Sequence, residues 1–111
     1  MNSIKLWRQG DILIQKIEKI PAEAVPHKGK VLAEGSATGK RHKFSQRAKV
    51  KLFKSKSTRQ PEGMFELFAE VKSDFEDILH PEHGTITLET GFYRIWPQRE
   101  YTPNQVRAVF D

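Results

Sequence analysis

The stretch from His80 to Pro103, HPEHGTITLETGFYRIWPQREYTP, carries the alternation that decides the fold class. Apolar residues recur at every second position in Thr85–Glu89 and again in Phe92–Trp96, with Thr90-Gly91 between the two runs. Alternation of this kind is typical of half-buried strands, and a short link ending in glycine is typical of a hairpin turn. The stretch therefore predicts two antiparallel strands with a turn at Thr90-Gly91. Because an isolated hairpin is marginal in water, other strands must cover it.

The rest of the chain contains further strand-like runs. Ile4–Ile20 predicts a strand pair with a turn at Gly10-Asp11, and Val31–Gly35 and Ala48–Phe53 predict single short strands. Two prolines make Pro21–Lys30 a predicted loop. We expect one domain over residues 1–111, mainly β, built as a small barrel or sandwich of six to eight short antiparallel strands.

Two segments carry helical signals. Residues 64–79 show a helical stripe at Met64, Phe68, Val71, Phe75 and Ile78, and they also alternate at Phe65, Leu67, Ala69 and Val71. Periodicity slightly favours a helix there, and the strand remains the alternative. Thr102-Pro103 resembles an N-cap followed by proline at the first helical position, which predicts a short C-terminal helix.

Composition limits the class of protein. The chain is 37% hydrophobic and 30% charged, and it contains no cysteine, which excludes disulfides, thiolate metal sites and a cysteine nucleophile. No apolar run approaches the ~20 residues that cross a bilayer, and the first residues lack the apolar core of a signal peptide. We therefore expect a cytoplasmic protein of a bacterium or phage, with no membrane contact.

Positive charge is concentrated in one region. Between Lys28 and Arg59 the chain has eleven lysine or arginine residues and one acidic residue, for a local charge of +10, whereas the remainder has a charge of −5. Residues 40–63 form the predicted basic loop region, and a basic segment with interleaved aromatics favours nucleic acid or another polyanion. The predicted nucleic-acid-binding residues are Lys40, Arg41, Lys43, Phe44, Arg47, Lys49, Lys51, Lys54, Lys56 and Arg59. The alternative is a solvated loop that keeps the protein soluble.

Several motifs resemble those of a known family. They are RQGDILI at residues 8–14, LAEG with TGKRH at 32–42, LHPEH at 79–83, GFYRI at 91–95 and QREYTP at 98–103. The chain resembles a family of small uncharacterised bacterial proteins with RQGDV, TGHxH, LTHEEH and RQREY signatures. The resemblance implies a strand and turn before residue 80, and it implies no activity. Lys40 stands where the family has the first histidine of TGHxH, so only His42 remains of that pair.

The histidines support an alternative hypothesis. His42, His80 and His83 would bind a divalent metal such as zinc if a small cupin-like barrel brought them together, although His80 and His83 need a turn between them to converge. The other interpretation is that His80 and His83 are turn residues that hydrogen-bond the backbone. No catalytic motif is present, so enzymatic activity is undecided.

The first functional hypothesis is a binding module for RNA or single strands, without sequence specificity or cofactor, because no helix-turn-helix or zinc-finger pattern is present. The metal-binding protein is the second hypothesis. The third is a structural or assembly component of a phage or ribonucleoprotein, in which the acidic 70s and basic 40s meet between subunits.

Overall fold

A computed structural model describes residues 5–34, 41–45, 48–55, 66–97, 99–102 and 105–108. Within these ranges the chain forms β strands and no helix, which confirms the mainly β class. The strands are β1 (Leu6–Gln9), β2 (Ile12–Ile17), β3 (Val25–His27), β4 (Val31–Glu34), β5 (Arg41–Phe44), β6 (Val50–Lys54), β7 (Leu67–Leu79), β8 (Ile86–Pro97), β9 (Arg99–Thr102) and β10 (Gln105–Ala108). Among the same residues, no helix is long and apolar enough to cross a membrane.

Eight of the strands form one antiparallel sheet, and β9 pairs with β10 in a separate two-stranded sheet. The main sheet runs in the order β1-β2-β8-β7-β5-β4, while β6 also pairs with β7, and β3 pairs with β6. Strand β7 is 13 residues long and has two neighbours on the same edge. Its first half, Leu67–Val71, pairs with β6, and its last residues, Ile78 and Leu79, pair with β5.

Strand β8 is one continuous strand, so the predicted turn at Thr90-Gly91 is wrong. The strand runs for 12 residues through Gly91, whose φ is 152°. Strand β8 forms its hairpin with β7, and the link between these two strands lies at residues 80–85. The β7–β8 register shifts between Val71 and Phe75, because Val71 lies opposite Gly91 whereas Phe75 lies opposite Glu89. The glycine therefore marks an irregularity within a strand rather than a hairpin turn.

One face of the sheet, which we name the inner face, carries the core. Its fully buried side chains include Ile12 and Ile14 of β2, Leu88 of β8, and Tyr93 and Ile95 after the shift. The core cluster consists of Ile12, Ile14, Leu32, Phe44, Ala48, Leu52, Leu67, Ala69, Val71, Ile78, Ile86, Leu88, Tyr93 and Ile95. The Trp7 ring packs edge-on against Tyr93, with ring centroids 5.8 Å apart. The predicted alternation within each half of β8 is confirmed.

Three other local predictions differ from the structure. The helix that periodicity favoured over residues 64–79 is wrong, because Leu67–Leu79 is strand β7, as the family resemblance implied. The C-terminal helix is also wrong within the described residues, since Gln105–Ala108 is a strand paired with β9. Pairing between strands satisfied backbone groups that the local signals would have placed in helices. The predicted loop Pro21–Lys30 contains the short edge strand β3, a position at which Pro26 is tolerated.

Candidate functional site

A buried polar network surrounds His42. Strand β5 points this side chain to the inner face, where 3% of it is exposed. The Nδ1 atom lies 2.9 Å from Gln9 Oε1, and Nε2 lies 3.0 Å from Asp11 Oδ1. Gln9 and Asp11 flank Gly10 at the turn between β1 and β2, and its φ of 57° is one that glycine adopts without strain. Both ring nitrogens of His42 are therefore engaged by the β1–β2 turn.

The Gln9 amide determines which nitrogen of His42 carries a proton. Gln9 Nε2 donates to Ile78 O at 2.9 Å and to Gly84 O at 2.8 Å. Because an amide nitrogen only donates, these two bonds orient Gln9 Oε1 as the acceptor toward His42. His42 Nδ1 must then donate, and the Nε2–Asp11 bond must hold one further proton between its two atoms. The network thus joins the β1–β2 turn, β5 and the end of the β7–β8 hairpin.

His80 and His83 lie in the link between β7 and β8 and contact this network. The His80 ring centroid is 4.2 Å from that of His42 and 4.5 Å from that of His83. The Nε2 atoms of His80 and His83 are both buried. His80 Nδ1 accepts a hydrogen bond from the backbone N–H of Glu82 at 3.0 Å, so the interpretation of His80 as a turn residue is confirmed.

The structure brings the three predicted metal ligands together without arranging them as a metal site. The described residues contain no group of three or more histidine, cysteine, aspartate or glutamate side chains that could hold a metal ion. Imidazole binds a metal through a lone pair in the plane of its ring, whereas the rings of His42 and His83 are stacked 6.0 Å apart with an interplanar angle of 6°. His42 also has both nitrogens engaged in hydrogen bonds.

The electrostatics of the cluster disfavour positive charge. Burial, and then the nearby His80, lower the pKa of His42 from 6.5, while Asp11 opposes the shift. Desolvation penalises the charged form of a buried imidazole, and a neighbouring imidazole that can also be charged adds repulsion. Burial and His80 therefore favour the uncharged form of the His42 ring, and Asp11 favours its charged form.

The opposite side of the sheet, which we name the outer face, carries aromatic and cationic side chains. Successive residues of a strand point to opposite faces, and residues opposite each other across a pair share a face. Phe53 lies opposite Phe68, and Phe68 lies opposite Arg94. Lys51 lies opposite Glu70, which lies opposite Phe92. In β6, in residues 67–71 of β7 and in residues 92–97 of β8, the outer-face members are Lys51, Phe53, Phe68, Glu70, Phe92, Arg94 and Trp96.

Two cationic side chains on the outer face, Lys51 and Arg94, lie against aromatic rings. Lys51 Nζ is 5.4 Å from the centroid of the Phe53 ring, and Arg94 Cζ is 4.3 Å from the centroid of Trp96. The Arg94 guanidinium also donates from Nε to Glu66 Oε2 at 2.6 Å, which holds it in place. Phe53, Phe92 and Trp96 are half-buried, whereas Phe68, which lies opposite both Phe53 and Arg94, is buried.

The predicted basic residues are distributed over several positions. Lys51 is exposed on the outer face, and Arg41, Lys49 and Lys54 are also exposed, whereas Lys43 is half-buried. Phe44 is fully buried in the core, so its inclusion among the nucleic-acid contacts is wrong. Within residues 40–63, two strands, β5 and β6, replace part of the predicted loop. Lys40, Arg47, Lys56 and Arg59 lie outside the described residues.

The acidic 70s contact the basic 40s within one chain. The backbone N–H of Lys49 donates to the Glu76 carboxylate, and the N–H of Lys72 donates to Lys49 O at 3.0 Å. The assembly hypothesis placed such contacts between subunits.

Several residues of the buried network and of the outer face are not among the predicted site residues. Gln9 and Asp11 were recognisable only as polar residues around a glycine turn. Phe92, Arg94 and Trp96 do alternate along the sequence, but an outward-facing row of this kind is equally typical of edge aromatics.

A family model matches most of the chain. The model for a domain of unknown function, DUF8820, matches residues 8–98. The chain belongs to this family. The matched range includes strand β2 and every described residue of β5 to β8, and hence the histidine cluster and the outer-face residues of β6, β7 and β8. No curated protein and no solved structure matches the chain.

Proposed function

We propose that this protein binds single-stranded nucleic acid, without sequence specificity, on the outer face of its sheet. The observation that carries the proposal is the pair of cation–aromatic contacts, Lys51 with Phe53 and Arg94 with Trp96, on one sheet face. Aromatic rings stack on unpaired bases, and adjacent cations contact the phosphates that link them. A sheet face with this composition suits a strand whose bases are unpaired.

The charge distribution supports the same function. The local charge of +10 between Lys28 and Arg59 exceeds what solubility requires, and β6 from this region supplies Lys51 and Phe53. The described residues contain no helix to enter a major groove, which favours single strands over a specific duplex site. RNA and single-stranded DNA share the chemistry that this face recognises.

The test is fluorescence anisotropy with labelled single-stranded RNA, single-stranded DNA and duplex DNA, each at low and high salt. We expect tighter binding to the single strands, with an affinity that falls steeply as salt increases, because neutralised phosphates release counterions. Equal or tighter binding to the duplex would contradict the proposal, as would affinity that does not respond to salt.

Variants locate the binding surface. Trp96→Ala and Phe53→Ala should each lower affinity by about 5- to 150-fold, which corresponds to the roughly 1–3 kcal/mol of one base stack. Lys51→Glu should weaken binding and reduce the salt dependence. Lys19→Glu is the matched control, since it makes the same charge change at an exposed position outside β6, β7 and β8. Equal effects of Lys51→Glu and Lys19→Glu would indicate attraction by net charge alone.

A further inference from the structure

Two glutamates lie among the rings and cations of the outer face, and they differ in what they contact. Glu66 Oε2 accepts the hydrogen bond from Arg94 Nε at 2.6 Å. Glu70 is half-buried on β7, and in the part of the chain that the structure describes its carboxylate has no hydrogen bond and no ion pair. Among these residues, no donor is therefore assigned to either oxygen of Glu70.

The two outer-face cations do not neutralise Glu70. Lys51 is its partner on β6, but Lys51 Nζ lies 5.4 Å from the ring centroid of Phe53, the next outer-face residue of that strand. Arg94 is held by Glu66. A carboxylate that is partly removed from water and has no donor loses hydrogen bonds that it makes in water, so a ligand that supplies donors restores them.

Strand register places an aromatic ring beside this carboxylate. The Lys72 N–H donates to Lys49 O at 3.0 Å, and every second residue of a strand directs its backbone groups to the same neighbour, so Glu70 also directs its backbone groups to β6. The pair of Glu70 with Phe92 on β8 is then the non-hydrogen-bonded kind, in which the Cα atoms are about 4.5 Å apart and the side chains are closest. The edge of a base that stacks on Phe92 therefore lies next to Glu70.

The charge of Glu70 determines which part of a nucleotide it can contact. A carboxylate repels phosphate, whereas Lys51 and Arg94 attract it. Recognition of single strands also uses hydrogen bonds to the Watson–Crick edges of unstacked bases. Glu70 therefore suits the edge of a base, and in particular an edge that presents donors.

We propose that Glu70 selects guanine at one position of a site that otherwise binds without sequence specificity. The selection rests on the proposed binding of single strands to the outer face. Guanine presents two adjacent donors, N1–H and the N2 amino group, which match the two oxygens of a carboxylate. Adenine and cytosine place an acceptor beside their amino group, and uracil has an acceptor on each side of its N–H, so a carboxylate repels part of each of these edges.

The test is fluorescence anisotropy of the whole chain with labelled oligouridine that carries one central guanine or one central adenine. Both bases are purines that stack alike, so their comparison isolates the hydrogen-bonding edge. We expect the guanine oligomer to bind about 5- to 150-fold more tightly, the discrimination of one bidentate contact. Equal affinities for the two oligomers would overturn the proposal.

Altered bases test the contact on the unaltered protein. Inosine lacks the N2 amino group and 1-methylguanine lacks the N1–H, so each should lose most of the preference over adenine. The matched control is 7-deazaguanine, which keeps both donors and lacks only the N7 acceptor, and it should bind as guanine does. Loss of the preference with 7-deazaguanine, or its retention with 1-methylguanine, would assign the selection to another edge of the base and overturn the role of Glu70.

Protein variants identify the residue. Glu70→Gln keeps the size of the side chain but replaces one acceptor by a donor, so the guanine and adenine oligomers should bind about equally, with the adenine oligomer bound no more weakly than before. Glu18→Gln makes the same charge change at an exposed position outside β6, β7 and β8 and should keep the preference. A preference that survives Glu70→Gln would overturn the proposal.

The two levels of the hypothesis fail in different ways. Salt-sensitive binding of every oligomer with the same affinity would leave the binding of single strands intact and overturn the selection of guanine. No binding of any oligomer at low salt would overturn both.

Discussion

The two halves of the β7–β8 hairpin use the same pair of strands for different purposes. In the first half, Leu67–Val71 pairs with residues 91–95, and neighbouring strands extend the sheet on both sides. Its inner face is core, and its outer face carries rings and cations. In the second half, residues 75–78 pair with residues 86–89 and lead to a link that contains His80 and His83. The first half thus presents a surface, and the second half completes a buried network.

The difference between the halves arises at a single irregularity. In β8 the buried positions are the even-numbered Ile86 and Leu88 before Gly91, and the odd-numbered Tyr93 and Ile95 after it. β7 shows the corresponding change, from Val71 to Ile78. Extra residues in one strand of an antiparallel pair change which side chains face the core. Across this one irregularity, both halves keep their buried side chains in the same core, and the second half continues to the buried network around His42.

The largest expected effect is on stability, and it distinguishes substitutions on the inner face from those on the outer face in the first half of the β7–β8 hairpin. Ile95→Ala removes a fully buried side chain and should lower the free energy of unfolding by about 2–5 kcal/mol. Lys51→Ala changes an exposed outer-face residue and should alter it by no more than about 0.5 kcal/mol. Urea denaturation measures both values. Similar losses for the two variants would mean that the outer face is part of the core.

A somewhat smaller loss of stability is expected in the second half of the hairpin, which completes the buried network. Gln9→Ala removes the partner of Ile78 O, Gly84 O and His42 Nδ1. A buried group left without its hydrogen bond costs about 1–3 kcal/mol, and we expect a destabilisation of at least this size. Gln15→Ala on β2 is the matched control, because Gln15 is half-buried on the outer face, and it should change stability by less than about 0.5 kcal/mol. Equal urea midpoints for the two variants would show that the network contributes little to stability.

A substitution at the irregularity, at Gly91, has the smallest expected effect on stability. Gly91→Ala should cost about 1–3 kcal/mol because of the φ of 152°, and its Cβ would lie 3.0 Å from Lys16 Cε. Lys16 cannot move away without loss, since its Nζ is held by Glu89 at 2.6 Å. Gly84→Ala should be close to neutral, because nothing lies within 4 Å of the added Cβ. Thermal unfolding of both variants makes the comparison, and a neutral Gly91→Ala would show that the irregularity does not require glycine.

The sequence predicted strands well where burial alternates strictly. The turn at Gly10-Asp11, strand β4 and the alternation of β6 follow from local pattern and turn chemistry, because a half-buried strand must place apolar residues at every second position. In residues 64–79, a helical periodicity coexists with the alternation of a strand. The bulge in β7 offsets the apolar residues of its two halves, and Phe68 lies on the outer face, so the series Phe68, Val71, Phe75 and Ile78 imitates a helical stripe.

The same cause explains the turn predicted at Thr90-Gly91. A change in alternation next to a glycine is the signature of a hairpin, and it is also produced by a strand that bulges and continues. Only the position of β7 distinguishes the two, because β7 supplies hydrogen bonds to β8 on both sides of Gly91.

The amino-acid sequence by itself determined the mainly β class, the concentration of positive charge and the presence of histidines near position 80, because these depend on composition and local periodicity. The tertiary structure decided which of these residues meet. His42 contacts His80 and Gln9 across 38 and 33 positions of the chain. It also decided that Phe44 is core and that Phe53, Arg94 and Trp96 share a face. Strand register, set by pairing between distant segments, controls both outcomes, and no local pattern specifies it.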